Sequence, residues 1–169
     1  EKVLNIARLE QDQFKLNLEK IELVSFIQNI VNQERIKFES LKGELKFLTK
    51  INQTEIKADK LHFTNVVTNI LDNASKYCKQ KPEVLISLIQ KKNMLFLEVS
   101  DNGIGIKKEQ IKKVFNKFYR VSTGNVHDVK GFGLGLYYVK NICDVHGWNT
   151  SVDSILNQGT TFIIEIPEV

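Results

Sequence analysis

Apolar and polar positions along the chain separate into clear runs. Around residues 65–77, NVVTNILDNASKY, the apolar residues Phe63, Val66, Val67, Ile70, Leu71 and Ala74 recur at i, i+3, i+4 and i+7, with Tyr77 and Cys78 continuing the stripe. That period predicts an amphipathic helix with one face in a core, and Asp59 is placed to cap it. Asn65, Asn69, Asn73 and Lys76 form a second line on the same helix. At about 100° per residue that line is a separate face. Upstream, alternation predicts a strand over 14–19. A long helix follows over 22–41, broken by Gly43, and then short strands over 45–49 and 55–58. Downstream, 84–89 and 95–100 read as strands joined around Lys91, Lys92 and Asn93, a hairpin pattern. Helices are expected over 107–118 and 133–146, the latter with Leu134, Leu136, Tyr137, Val139, Ile142 and Val145 inward, and strands over 148–155 and 160–166. Residues 119–130 have few aliphatics and no period, and read as a mobile loop. The sum is an α/β (α+β) two-layer sandwich: a mixed, mostly antiparallel sheet covered on one face by helices.

Composition narrows the class. The 169 residues amount to one medium domain, with 42% apolar and 26% charged residues, ordinary for a globular chain. A net charge of +4 suits an anionic nucleotide but makes no basic patch that argues for nucleic acid. Cys78 and Cys143 have no CxxC spacing; they read as buried thiols of a cytosolic protein, not zinc ligands, and demand no disulfide. No apolar run reaches the ~18 residues of a membrane span, so no membrane contact is expected from this stretch. The chain starts at Glu1 without Met, and is expected to be part of something longer.

Three segments carry chemistry. The carboxamides of the Asn line are hard oxygen ligands suited to Mg²⁺, and Lys76 suits phosphate. In LFLEVSDNGIGI, residues 95–106, Leu95, Leu97, Val99 and Asp101 share one strand phase. Asp101 therefore ends an apolar row. A carboxylate there needs hydrogen-bond donors, and the exocyclic amine of adenine is a fitting one. Gly103 and Gly105 permit a sharp turn and close approach to a ligand. GFGLGL, residues 131–136, opens a helical pattern, and glycines before a helix N-terminus make a phosphate cradle. Each segment has a plainer reading as well: a solvated face, an Asn-Gly turn, and a helix start.

In this order and spacing, the segments resemble the catalytic, ATP-binding domain of sensor histidine kinases, within the GHKL (Bergerat) ATPases. The matching pieces are an N box (Asn69-Ile-Leu-Asp-Asn73-Ala-Ser-Lys76-Tyr77), a first glycine box (Asp101-Asn-Gly103-Ile-Gly105-Ile) and an F box (Phe115-Asn-Lys-Phe118-Tyr119-Arg120). A second glycine box (Gly131-Phe-Gly133-Leu-Gly135-Leu136) and a final Gly159-Thr160-Thr161-Phe162 complete them. The resemblance covers residues 14–169 and implies three helices on the sheet. It implies ATP and Mg²⁺ bound between the central helix and the 119–130 loop. Asn73 would be the metal ligand, Asn69 its support, and Lys76 a phosphate partner. Tyr77 would lie near the nucleotide, though a core aromatic remains open. Asp101 and Thr160 would hold the adenine amine. Gly103 and Gly105 would shape the adenine side; Gly131, Gly133, Gly135 and Leu136 the phosphate side. Arg120 would reach the γ-phosphate, with Lys130 as a second cation, against the alternative of a solvated lysine.

The resemblance also implies partners. Residues 1–13 are similar to the end of a dimerisation and phosphoacceptor helix, against the alternative of an ordinary N-terminal helix. The phosphoryl group would go to a histidine of that helical domain and then to a response regulator. The parent would be a homodimer through helices outside this chain, with this domain in the cytoplasm. None of His62, His127 or His146 is followed by the acidic-basic-proline pattern of the family's acceptor. GHKL hydrolases carry a glutamate one turn before the metal-binding Asn. Asn69 stands there instead and cannot act as a general base, which disfavours water-splitting. Phe132 and Trp148 depart from the usual Thr and Gly, with expected effects on lid closure or surface contacts. Two rivals stay open: a degenerate nucleotide-binding docking module, and a serine kinase of the anti-sigma type.

Overall fold

The computed structural model describes residues 15–120 and 132–168. Strand β1 (Glu19–Glu22) runs directly into α1 (Leu23–Ser40). Glu22 makes the join: its carboxylate accepts from the amides of Val24 at 3.2 Å and Ser25 at 2.7 Å, and from Thr54 at 3.1 Å. The first amides of a helix lack intrahelical acceptors, so a carboxylate there satisfies them and suits the dipole. The strand expected over 14–19 therefore lies later. Ile21 must face Ile56 of β3 (Glu55–Ala58), both buried, whereas Leu18 is exposed. The expected strand start at Phe14, and the helix over 1–13, lie outside the described residues.

After β2 (Glu44–Thr49) and β3, Asp59 caps α2 (Lys60–Lys76), its Oδ1 accepting from His62 N–H at 3.0 Å. Its Oδ2 accepts from Asn17 N–H at 2.8 Å and so ties the incoming chain to the helix start. All six predicted stripe residues of α2 are buried. Strands β4 (Glu83–Lys91) and β5 (Met94–Asp101) form the expected hairpin. Then come the short α3 (Lys108–Ile111), α4 (Gly135–Val145), β6 (Asn149–Ile155) and β7 (Gly159–Pro167).

The main sheet has order β2-β4-β5-β7-β6, parallel at β2/β4 and antiparallel elsewhere; β1 and β3 form a separate pair. One phase of the long strands (Val84, Ile86, Leu88; Leu95, Leu97, Val99; Phe162, Ile164, Ile166) is buried, and α1, α2 and α4 cover that face. The two-layer architecture is the one the periodicity predicts.

Two helices are shorter than expected. Past α3 the amides of Lys113, Asn116 and Tyr119 bond three residues back, and Phe118 (φ 62°) leaves the helix to donate to Gly133 O at 3.1 Å. Over this stretch only Val114 is buried, too little apolar stripe to hold a longer helix. The helix expected from Gly133 starts at Gly135, because Gly133 has φ 68°. Its inward side includes Tyr138 and Cys143, while Val145 is half exposed. The helix is wedged between α2 and the sheet edge, so its buried arc differs from the one anticipated.

Trp148 is a core residue, 4% exposed, and not a surface contact. It meets the edge of Phe63 at 4.8 Å, and Phe63 stacks on Phe26 at 5.1 Å. Beside it, His146 Nδ1 donates to Ile142 O at 2.7 Å and Nε2 accepts from Asp59 N–H at 3.0 Å. That pair of bonds requires the neutral ring, and burial lowers its pKa further below the ordinary histidine value.

Phe63→Ala is expected to cost about 3–5 kcal/mol in urea unfolding, with the fold retained in far-UV dichroism. Because the folded state binds fewer protons at His146 than the unfolded chain, stability is present above about pH 6.5 and is lost as pH falls below it. Melting temperatures at pH 7.5 and 5.5 should show this slope, and His146→Gln should flatten it.

Candidate functional site

The α2 stripe that enters the core turns the Asn line toward a cleft. Asn69, Asn73 and Lys76 line it, with Tyr77 at the helix end. Asn69 Nδ2 donates to Asn65 O at 2.7 Å, which orients its amide. Asn73 makes no side-chain hydrogen bond among the described residues, so its carboxamide oxygen is available to a ligand. Asp72 carries Lys37 of α1 and, at 3.7 Å, Lys76. A carboxylate shared by two lysines holds Lys76 near the cleft without neutralising both charges.

The opposite end is built by the β5/β7 register, which sets Asp101 against Thr160. Asp101 Oδ1 accepts from Gly103 N–H at 2.8 Å and Thr160 N–H at 3.2 Å. Burial pushes its carboxyl above the ordinary value, and these two amides counter the shift without cancelling it. Gly103 is not on the cleft wall. It lies behind Asp101, where an added Cβ would come within 2.7 Å of the carboxylate. Gly105, on the wall, has φ 66° and its Cβ position is 2.1 Å from Ile155 O. The backbone at Ile155 and Leu156 thus leaves no room for a side chain there.

A third wall comes from Arg120, Gly133, Gly135 and Leu136. Gly133 carries the left-handed turn into α4, and Phe118 and Tyr119 lie 2.8 Å from its Cβ position. Gly135 begins α4, and a Cβ there would stand 3.2 Å from Asn69 Oδ1. The N-terminus of α4 thus faces the carboxamide line across a narrow gap that a side chain at 135 would tighten. Lys130, Gly131 and the loop over 119–130 beyond Arg120 lie outside the described residues.

The sequence reading missed the apolar floor. Ile104, Ile106, Val114 and Phe162 line the cleft beside Asp101. The isoleucines alternate with the glycines, and Phe162 is in phase with Thr160, so strand phase was the signal. Phe132, expected to affect the lid, is 78% exposed and also lines the cleft. The result is a cleft with an acceptor in an apolar slot at one end, and amides, a lysine, an arginine and a helix N-terminus at the other. The first end suits a flat base with an amino group; the second suits a polyanion with a divalent cation.

A family model, described as histidine kinase-, DNA gyrase B-, and HSP90-like ATPase, matches residues 58–169. The chain belongs to this ATPase family. It is 41% identical to the sensor protein RprX of Bacteroides fragilis, over 99% of this chain and 33% of RprX. The chain thus spans about a third of the length of that curated relative. Full-length ShkA, solved in complex with AMPPNP, superposes with a TM-score of 0.86 at 22% identity, over 99% of this chain and 35% of ShkA. Histidine kinase ThkA, solved with the response regulator TrrA, gives 0.80 at 21% identity, over 99% of this chain and 46% of ThkA. The fold is that of histidine kinase catalytic domains.

Gly133→Ala should destabilise the domain by about 1–3 kcal/mol, because a side chain in the left-handed turn meets the Phe118–Tyr119 backbone. Urea unfolding checks it; an unchanged midpoint would mean that the turn rearranges freely.

Proposed function

We propose that this chain is the ATP-binding catalytic domain of a sensor histidine kinase, residues 14–169, with 1–13 the end of the preceding helix. It transfers the γ-phosphoryl group of ATP to a histidine of the adjoining helical domain, for passage to a response regulator. The observation that carries this reading is the pairing of a buried, amide-bound Asp101 at one end of the cleft with the Asn73–Lys76 line and the α4 N-terminus at the other. The kinship to RprX and the fold shared with ShkA and ThkA support it.

Asp101 would accept from the adenine amine, while Ile104, Ile106 and Phe162 would give the ring an apolar slot that excludes water. Asn73 would hold Mg²⁺ through its carboxamide oxygen, and the ion would supply positive charge to offset that of the phosphates. Lys76 and Arg120 add positive charge where the transferred group develops negative charge. Asn69 would brace the same side and, having no basic group able to take a proton at neutral pH, would leave water unactivated. Transfer to a protein nucleophile is therefore favoured over hydrolysis. His62 is bonded to Tyr138 OH at 2.7 Å and His146 to Asp59 N–H, and neither lines the cleft. Both support an acceptor on the helical domain. ATP supply places this domain in the cytoplasm, and the parent acts as a homodimer through its helices.

Calorimetric titration of ATP, with and without Mg²⁺, tests the reading. Asp101→Asn should weaken ATP about 10–100-fold by turning an acceptor into a donor, and Asn73→Ala should remove the Mg²⁺ dependence. Wild-type affinity should also fall on the acid side at a higher pH than an ordinary carboxylate would give, since Asp101 must stay ionised and its pKa is raised. Absence of binding at millimolar ATP would overturn the proposal.

A further inference from the structure

Ser154 of β6 stands outside the cleft wall, yet it joins two segments that build the wall, the turn at Ile106 and the start of β7. Its Oγ accepts from Ile106 N–H at 2.8 Å, donates to Gly159 O at 2.8 Å, and lies 2.9 Å from Thr160 Oγ1. A serine hydroxyl has one proton and two lone pairs. The amide of Ile106 can only donate and the carbonyl of Gly159 can only accept. The one assignment that makes all three contacts hydrogen bonds gives the Ser154 proton to Gly159 and one lone pair to Ile106. The remaining contact, to Thr160, has a single solution: Thr160 donates and Ser154 accepts. The one proton of Thr160 is then committed, and its Oγ1 offers only lone pairs to the cleft that it lines. Next to it, Asp101 offers carboxylate oxygen.

We propose that Ser154 is a positioning residue for nucleobase selectivity: by fixing the direction of the Thr160 hydroxyl, it makes the Asp101–Thr160 end of the cleft an acceptor-only surface. This rests on the nucleotide reading above. An exocyclic amino group, directly or through a water, finds acceptors there. An oxo group in the same place finds lone pairs opposed to its own, and no donor that can rotate toward it. Ser154→Ala releases the Thr160 proton. Thr160 is then free to turn and donate, and the penalty on an oxo base falls.

The measurement is calorimetric binding of ATP and ITP, which exchange the 6-amino group for an oxo group on the same triphosphate. Ser154→Ala should narrow the ATP-over-ITP preference about tenfold. Ser154→Thr, which keeps a hydroxyl, should restore it. In a Thr160→Val background, Ser154→Ala should leave the ratio unchanged, since no hydroxyl remains to direct. A merely structural role predicts that both nucleotides weaken together with their ratio intact, and that result overturns the inference while leaving the ATP site standing. A wild-type chain that binds neither nucleotide overturns both readings. Should Ser154→Ala fail to fold, Ser154→Cys, a weak donor and acceptor, reads the same ratio: a narrowed preference supports the inference, an unchanged one overturns it.

Discussion

Helix α2 has to serve two surfaces with one backbone. Phe63, Val66, Val67, Ile70, Leu71 and Ala74 are all within 3% of complete burial, and the energy of that burial fixes the rotation of the helix about its axis. Once the rotation is set, the direction of Asn69, Asn73 and Lys76 follows without further adjustment. The cleft is therefore held by the core. Phe26, Phe63 and Trp148, stacked from α1 through α2 to the start of β6, tie the same rotation to the rest of the sheet. Asp59 secures its first turn and, through Asn17, the chain that enters the domain.

A second constraint works along the sheet. Strand register is quantised, because a slip by one residue turns every side chain to the other face. With Val99 opposite Phe162 and both buried, Asp101 must lie opposite Thr160. A carboxylate is thereby set at the end of an apolar row with two backbone amides on one oxygen. The cost of burying it is partly offset within the protein, and the other oxygen is left for a ligand. The turns at 103–106 and 155–159 then close around this point through Ser154, so that the polar end of the cleft is shaped by hydrogen-bond direction as much as by volume.

The sheet, the central helix and its two faces were legible in the sequence because each rests on a period that survives in any context. The helix over 107–118 was not. Its apolar spacing was helical, but only Val114 found a core to enter, and the Phe118 amide was drawn to Gly133 O. Burial of Trp148 was likewise hidden, since nothing local distinguishes a surface tryptophan from one that meets Phe63. Tyr138 and Cys143 are buried for a similar reason: α4 is contacted on two sides, and a single-stripe reading misses the second.

What the sequence determined by itself is the set of chemical groups and their phase on each element: carboxamides on one helix face, a carboxylate ending an apolar strand row, and glycines at two turns. Those are local properties, since side-chain direction follows from 3.6 and 2.0 residue periods alone. What only the tertiary structure decided is their meeting. The approach of Gly135 to Asn69, the amides of Gly103 and Thr160 on one oxygen of Asp101, and the contact of Ser154 with Thr160 all join residues from separate elements. Their distances depend on which faces are buried together, and that is settled by packing across the whole domain.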